Sequence, residues 1–490
     1  MRISDFLVRE LGRRQVVLFF LLATMLYILP LILADFPYID DNWRTLAAGN
    51  AWAGQGRLFM DWLYQALTFT GAAPNIFPLP LLLACVAMSF ALTRLTFHYF
   101  PEPSLACCLV VLPLWYNPFL LQNLSYQYDG PGMLLSLVAV VYAITFQGAS
   151  RVRQWLVPAL LLALAIGLYQ ISVNVFLGLC CVELVRAVEQ RRPAAELGNL
   201  LAGKLAQLGL GVLIYSVTAY PFMTVTARGD LLDWSRQPLL QIGSNLSRTG
   251  ANVALLWHGG YAWLLVALGL CAAWAIARCG RWPWQLVCLA ALAVTALLVP
   301  GITLVFRDFN DGARTLMGYG AWLLLLCYLA YRALASVHRR LPLLLIVPLL
   351  ATLSLAFAYG RVLTLQKTFA SAVVYSLGHD IAAHRELYAA KRIYLSVTYS
   401  DRWLLGASGS FEQLPVLHYL LNVDYAVLAE NLPAVGIGNV VAERERRNAT
   451  RVGYRGYPAL LETRFYRIYL LGNYGFIVLK EPAPIDHLRW

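Results

Sequence analysis

The residue types most able to do chemistry gather in one short run, Asp35-Phe-Pro-Tyr-Ile-Asp-Asp-Asn-Trp-Arg44. Asp40 and Asp41 are adjacent, and Arg44 follows Asp41 at the spacing of one helical turn. One carboxylate of such a pair can act as a general base, taking the proton of an attacking hydroxyl. Asp41 is the preferred base, with Asp40 as the partner that orients it or holds a metal ion. A plainer reading is that the pair opens a helix, one Asp capping it and both favoured by its dipole. Downstream, residues 42–53 and 58–69 carry Trp43, Trp52, Phe59, Trp62, Leu63, Tyr64 and Phe69 among polar groups. That pattern predicts helices lying in a membrane interface. A carboxylate pair above them could act on a lipid-borne substrate.

Three further segments carry polar groups of the same kind. Gln122-Asn123-Leu-Ser-Tyr-Gln-Tyr128-Asp129 sets amides, phenols and a carboxylate where sugar hydroxyls could be held, or forms an ordinary polar turn. Tyr169-Gln170-Ile-Ser-Val-Asn174 places Gln170 and Asn174 four residues apart, for a substrate or for hydrogen bonds between helices. Phe306-Arg307-Asp308-Phe-Asn-Asp311-Gly-Ala-Arg314 offers cations beside acids, for an anionic ligand or for mutual salt bridges. With Arg44 and Arg57, Arg307 and Arg314 are the cations that could neutralise a leaving phosphate. A divalent cation, Mg2+ or Mn2+, is the other candidate for that task, with Asp40 as a ligand.

These segments need a frame. Hydrophobic residues make up 60% of the 490-residue chain and charged residues 13%, against about 45–50% and 25% in soluble domains. Disorder and a soluble globule are both excluded; a polytopic, all-α membrane protein remains. Eleven apolar stretches reach spanning length or nearly so: 16–34, 77–97, 104–121, 132–147, 155–169, 172–189, 205–222, 258–277, 284–304, 317–335 and 342–359. The fifth is short, so 155–189 could form a hairpin entering from one side. The first is too long for a cleaved signal and lacks a small-residue cleavage site.

Lys and Arg set the orientation. Alternate loops counted from the N-terminus hold sixteen, and the opposite loops up to residue 360 hold seven. The N-terminus is therefore expected in the cytoplasm, and residues 361–490 outside. The seven outer cations, Arg228 and Arg236 among them, share their side with nine aspartates: 35, 40, 41, 61, 129, 230, 233, 308 and 311. The net charge of +12 is thus an orientation signal and forms no continuous basic face for nucleic acid. The nine cysteines fall in or beside apolar segments without a C-x-x-C pair, so neither a thiolate metal site nor a disulfide framework is expected. The chain divides into a transmembrane unit, 1–360, with its first outer loop at 35–76, and an extracytoplasmic α/β unit, 361–490. In the latter, strands are predicted at Arg392–Val397, Tyr425–Leu428 and Gly475–Leu479, and helical stretches around 366–390 and 411–421.

The chemistry these groups suit is transfer of a sugar from a polyprenyl phosphate by single displacement. The segments, in this order, resemble the bacterial glucosyl transferase II family, which modifies O-antigen. The resemblance rests on Asp40-Asp41-x-x-Arg44 with Gly49, Trp52 and Gly56-Arg57, on Asn117-Pro118-Phe119 running into Asn123-Leu124-Ser125-Tyr126 and Asp129, on Tyr169-Gln170-x-Ser172-x-Asn174, and on Arg314. It covers about residues 10–330; where the family tends to show Pro-Arg, this chain has Ala313-Arg314. It implies a GT-C-type hexosyltransferase of the bacterial inner membrane working on the periplasmic face. The implied donor is an undecaprenyl-phosphate sugar, most often glucose. The acceptor is a surface polysaccharide such as lipopolysaccharide O-antigen or, in a variant, a protein such as pilin. The implied catalytic residue is an Asp of the first outer loop. The competing class is a transporter or flippase of lipid-linked sugars, which predicts internal repeats and charges near the bilayer midplane. The sequence shows no convincing repeat, and the apolar cores of the first, eighth, ninth and eleventh spans hold no charge.

Overall fold

The computed structural model describes residues 9–224, 230–234, 237–396, 403–423, 425, 427–441 and 454–480. Arg228, Arg236 and Val397, named above, lie outside them. The chain is mostly helical, with a small sheet near its C-terminal end. Seven helices are long and apolar enough to cross a membrane: Arg13–Ala34, Leu79–Tyr99, Arg151–Leu168, Ala194–Thr218, Gly259–Ala277, Gly318–Val337 and the segment Leu341–Ala383. Leu105–Leu114, Asp129–Ile144 and Trp282–Leu297 are shorter and apolar. Every stretch expected to span thus contains a helix, the sixth as Ser172–Glu189. The expected 104–121 span is interrupted: Pro113 has no N–H to continue the ladder, and the Leu105–Val111 helix tightens to a 3-10 turn.

These helices are apolar on nearly every side, as buried or lipid-facing helices are. Arg13–Ala34 packs between Leu79–Tyr99 and Ile346–Ala383. Asp129–Ile144, Arg151–Leu168 and Ala194–Thr218 follow as neighbours, and Ser172–Glu189 lies against Asp129–Ile144, Trp282–Leu297 and Gly318–Val337. The outward faces carry exposed leucines and tryptophans, among them Leu22, Leu33, Leu213, Trp263 and Leu270. A soluble monomer does not spread apolar surface so widely, and lipid is the solvent that suits it.

The two ends of the bundle differ. At one end, Arg94 bonds Thr145, Glu183 pairs with His98 and Arg186, and Glu189 pairs with Arg332. At the other end the aspartate-bearing loops 35–76, 122–129 and 300–315 meet. The loops expected on one side of a membrane are therefore the loops in mutual contact.

The long Ile346–Ala383 helix runs without a break through the position expected to divide the chain at 360. Its last third carries the sheet: Val373, Val374, Leu377 and Ile381 pack with Ile393, Leu395, Tyr466, Ile468 and Ile477. The strand order is β1(Arg392–Ser396)-β4(Tyr474–Leu479)-β3(Tyr466–Leu471)-β2(Leu461–Glu462), parallel between β1 and β4 and antiparallel elsewhere. Gly472, at φ +57°, opens the two-residue turn joining β3 to β4. Tyr425–Leu428 forms no strand among its described residues. Of the expected 411–421 helix, Pro415 leaves two short pieces, Ser408–Gln413 and Val416–Leu421.

The interfacial helices also change. The first ends at Ala47, because Ala48 turns left-handed (φ +48°) and Gly49 meets the Trp43 ring. Trp52 is fully buried rather than interfacial. The second, Leu58–Thr68, does expose Trp62, with Phe69 just beyond it.

Candidate active site

Asp41 is wholly enclosed. Its Oδ2 accepts from the backbone N–H groups of Tyr38 (2.8 Å) and Gln127 (2.9 Å), and its Oδ1 from that of Tyr128 (3.2 Å). Asp41 therefore clasps the 35–41 loop to the turn that leads into Asp129–Ile144. Burial pushes its carboxyl up to about 8, against the pull of these three amide donors. A free aspartate titrates near 4. The folded value lies above the unfolded one, so this group's contribution to stability is complete below about pH 4 and is lost as pH rises through about 8. Asp41→Asn should remove that part of the pH slope. It should also cost ~1–3 kcal/mol at low pH, because the amide nitrogen cannot accept from Tyr128 N–H. Thermal unfolding of both proteins between pH 4 and 8 checks this; equal slopes would refute it.

Asp40 is placed differently. It stands at the N-terminus of the Asp41–Ala47 helix, yet its carboxylate makes no capping hydrogen bond. It is half-buried and bears electrostatically on Arg314, Tyr126 and Tyr425. Arg314 is fixed from several directions. Its guanidinium bonds the Tyr126 hydroxyl and lies over that ring at 5.4 Å. Its backbone N–H donates to Gln122 Oε1 (2.7 Å), and its carbonyl accepts from Asn123 Nδ2 (3.0 Å) and the Tyr169 hydroxyl (3.2 Å).

Beside these two residues lies a second charge cluster. Asp129 Oδ1 accepts from Trp52 Nε1 (2.8 Å) and Arg57 Nη1 (3.0 Å), and Arg44 Nε stands 3.6 Å from Oδ2. The Arg44 guanidinium is sandwiched over Trp52 (4.1 Å) and Trp43 (4.6 Å), and that of Arg57 lies over Tyr169 (4.9 Å). Arg44 thus ends on Asp129, although its spacing had pointed to Asp41. Tyr128 packs with Tyr64 and Trp52 behind this cluster. Asp61 accepts from the Ala53 and Trp52 amides (2.6 and 3.4 Å) and shapes the turn that presents Arg57.

Gln170 and Asn174 do not share a helical face, because the helix begins only at Ser172. Gln170 Nε2 donates to the Gln55 carbonyl (3.2 Å), while Asn174 bridges the Pro300 carbonyl and the Ile302 N–H, each at 3.0 Å. Both amides brace loops. Gly56 is required here: its φ is +73°, and a Cβ would lie 2.5 Å from the Tyr215 hydroxyl. Arg307 and Asp308 have exposed side chains and are not drawn into the cluster. Asp41 is occupied by amides and Asp129 by arginines and an indole, and among the described residues no three His, Cys, Asp or Glu group as ligands. The charge available for an anion is that of the arginines.

Sequence reasoning missed the part played by the C-terminal segment. The carbonyls of Leu420 and Leu421 accept from the Tyr38 hydroxyl, Gln122 Nε2 and the Tyr359 hydroxyl, so the Val416–Leu421 helix sits directly on the site. Asn431 Nδ2 reaches Asn42 Oδ1 (3.0 Å), and Lys367 pairs with Asp35 (2.8 Å). Backbone carbonyls carry no signature that a sequence could display.

Membrane-length apolar helices bearing a cluster of arginines, aspartates and phenols at one end are the architecture of a membrane protein with a charged, polar surface site. The chain belongs to the glucosyl transferase GtrII family: the family model matches residues 29–325, more than half of it. It is also 25% identical over 197 residues to the "uncharacterized 55.3 kDa protein in gtrB 5'region" of Salmonella phage P22. That match spans 40% of this chain and 41% of the phage protein. No solved structure gives a significant match.

Proposed function

We propose that the protein moves a glucosyl group from a polyprenyl-phosphate donor to a hydroxyl of a surface polysaccharide, an O-antigen-like glycan, on the periplasmic face of the inner membrane. The observation that carries this reading is the half-buried Asp40 close enough to bear electrostatically on the braced Arg314 at the end of the bundle. Asp40 takes the acceptor hydroxyl's proton as that oxygen attacks the anomeric carbon. The C1–phosphate oxygen bond breaks as the new glycosidic bond forms, with inversion. The departing phosphate takes the electron pair, and Arg314 with Arg57 stabilises its charge. Asp41, whose carboxyl holds its proton near neutrality, positions Asp40 by fixing the loop.

Purified protein in proteoliposomes, given polyprenyl-phosphate [14C]glucose and acceptor glycan, tests the reading. Label should pass into the glycan. Label that moves between leaflets without entering glycan, for glucose and for other hexoses alike, would establish the transporter reading instead.

A further inference from the structure

A cleft of about 230 Å3 opens between the 35–42 loop, the extramembrane part of the Ile346–Ala383 helix and the segment around Tyr425 and Asn431. Phe36, Asn42, Gln366, Tyr375, Tyr425 and Asn431 line it. Its volume is below the ~300–1,000 Å3 of sites for drug-sized ligands, and suits one small ring system rather than a chain.

Two polar groups in its wall are unsatisfied. Gln366 is 1% exposed; its Nε2 donates to the Tyr425 carbonyl, but its Oε1 has no partner among the described residues. The Tyr425 hydroxyl is also buried without one. Burying such groups unpaired costs ~1–3 kcal/mol each, and proteins retain them where something else supplies the bond. One needs a donor and the other can give or accept, which a sugar hydroxyl offers once the two side chains turn these enclosed atoms toward the cleft. Tyr375, 69% exposed, adds an aromatic face against which the C–H face of a pyranose can lie.

Charge separates this cleft from the donor's place. Its one cation, Lys367, is already neutralised by Asp35 at 2.8 Å, so the cleft offers no net charge to a phosphate. The cation available to a phosphate is Arg314, which does not line the cleft. Asp40 bears electrostatically on both Tyr425 and Arg314.

We propose that this cleft binds one neutral pyranose of the acceptor glycan and presents the next hydroxyl to Asp40. The assignment rests on the glycosyltransferase reading for the word acceptor, but the saccharide site itself can be tested without turnover. Saturation-transfer NMR of the full-length protein with a panel of neutral hexose and 6-deoxyhexose trisaccharides is the measurement. At least one trisaccharide should bind. Tyr425→Phe, which removes one hydroxyl and keeps the ring, should weaken it about 3–10-fold, the worth of one neutral hydrogen bond. Tyr375→Ala, at an exposed position, should weaken it comparably, and both variants should leave the KM for polyprenyl-phosphate glucose unchanged. No binding by any trisaccharide, or binding indifferent to both substitutions, overturns the proposal. Sugar transfer that persists without such binding would sink this site and leave the transferase reading standing. Binding without transfer by the parent would do the reverse.

Discussion

Asp40→Asn is expected to lower sugar transfer by about 10²–10⁴-fold, the usual worth of a positioned general base, while the protein stays folded and binds its donor. The amide has the same shape, and the helix that Asp40 precedes has no cap bond from its side chain to lose. In the proposed mechanism the donor phosphate is held by Arg314, which Tyr126, Gln122, Asn123 and Tyr169 hold in turn. Single-turnover transfer at saturating donor separates the two quantities. A rate within about tenfold of the parent would remove Asp40 from the chemistry.

Asp129→Ala should act on the fold instead, costing ~3–5 kcal/mol. Asp129 is 4% exposed, and its removal would leave Arg57 without its ion pair, Arg44 without its nearest carboxylate and Trp52 Nε1 without its acceptor. A buried charge stripped of its partner is far more costly than the intact pair is favourable. Asp129→Asn keeps an acceptor for the indole and should lose less. Unfolding midpoints in detergent compare the three. An Asp129→Ala protein within about 1 kcal/mol of the parent would show that these arginines are solvated rather than paired.

Much of this arrangement was legible in the residues. The helices are visible because their apolar runs are long, and Lys and Arg sort the loops into two groups that the fold keeps apart. Asp40, Asp41, Arg44, Arg57, Asp129, Tyr128, Gln170, Asn174 and Arg314 all come to one end of the bundle. What each one touches was not legible. Arg44 lies at helical spacing from Asp41, but the Asp41 side chain turns back to the Tyr38 amide, leaving Arg44 to meet Asp129 from another segment. Gln170 and Asn174 read as a helical pair because nothing in their types reveals that the helix starts between them. Arg307 and Asp308 matched the wanted charges, but their backbone follows Asp230 and leaves them exposed. The expected boundary at 360 followed the end of the last apolar stretch at 359, whereas the helix needs only continuous hydrogen bonds, which run on to Ala383.

The division of labour between the two adjacent aspartates is the centre of this account. Asp40→Asn and Asp41→Asn, prepared together, should be measured for unfolding midpoint and for transfer of polyprenyl-phosphate [14C]glucose per folded molecule. The expected result is an Asp40 variant with the parent's midpoint and almost no transfer, beside an Asp41 variant with a lowered midpoint that retains transfer. An inert, fully stable Asp41 variant beside an active Asp40 variant would contradict it.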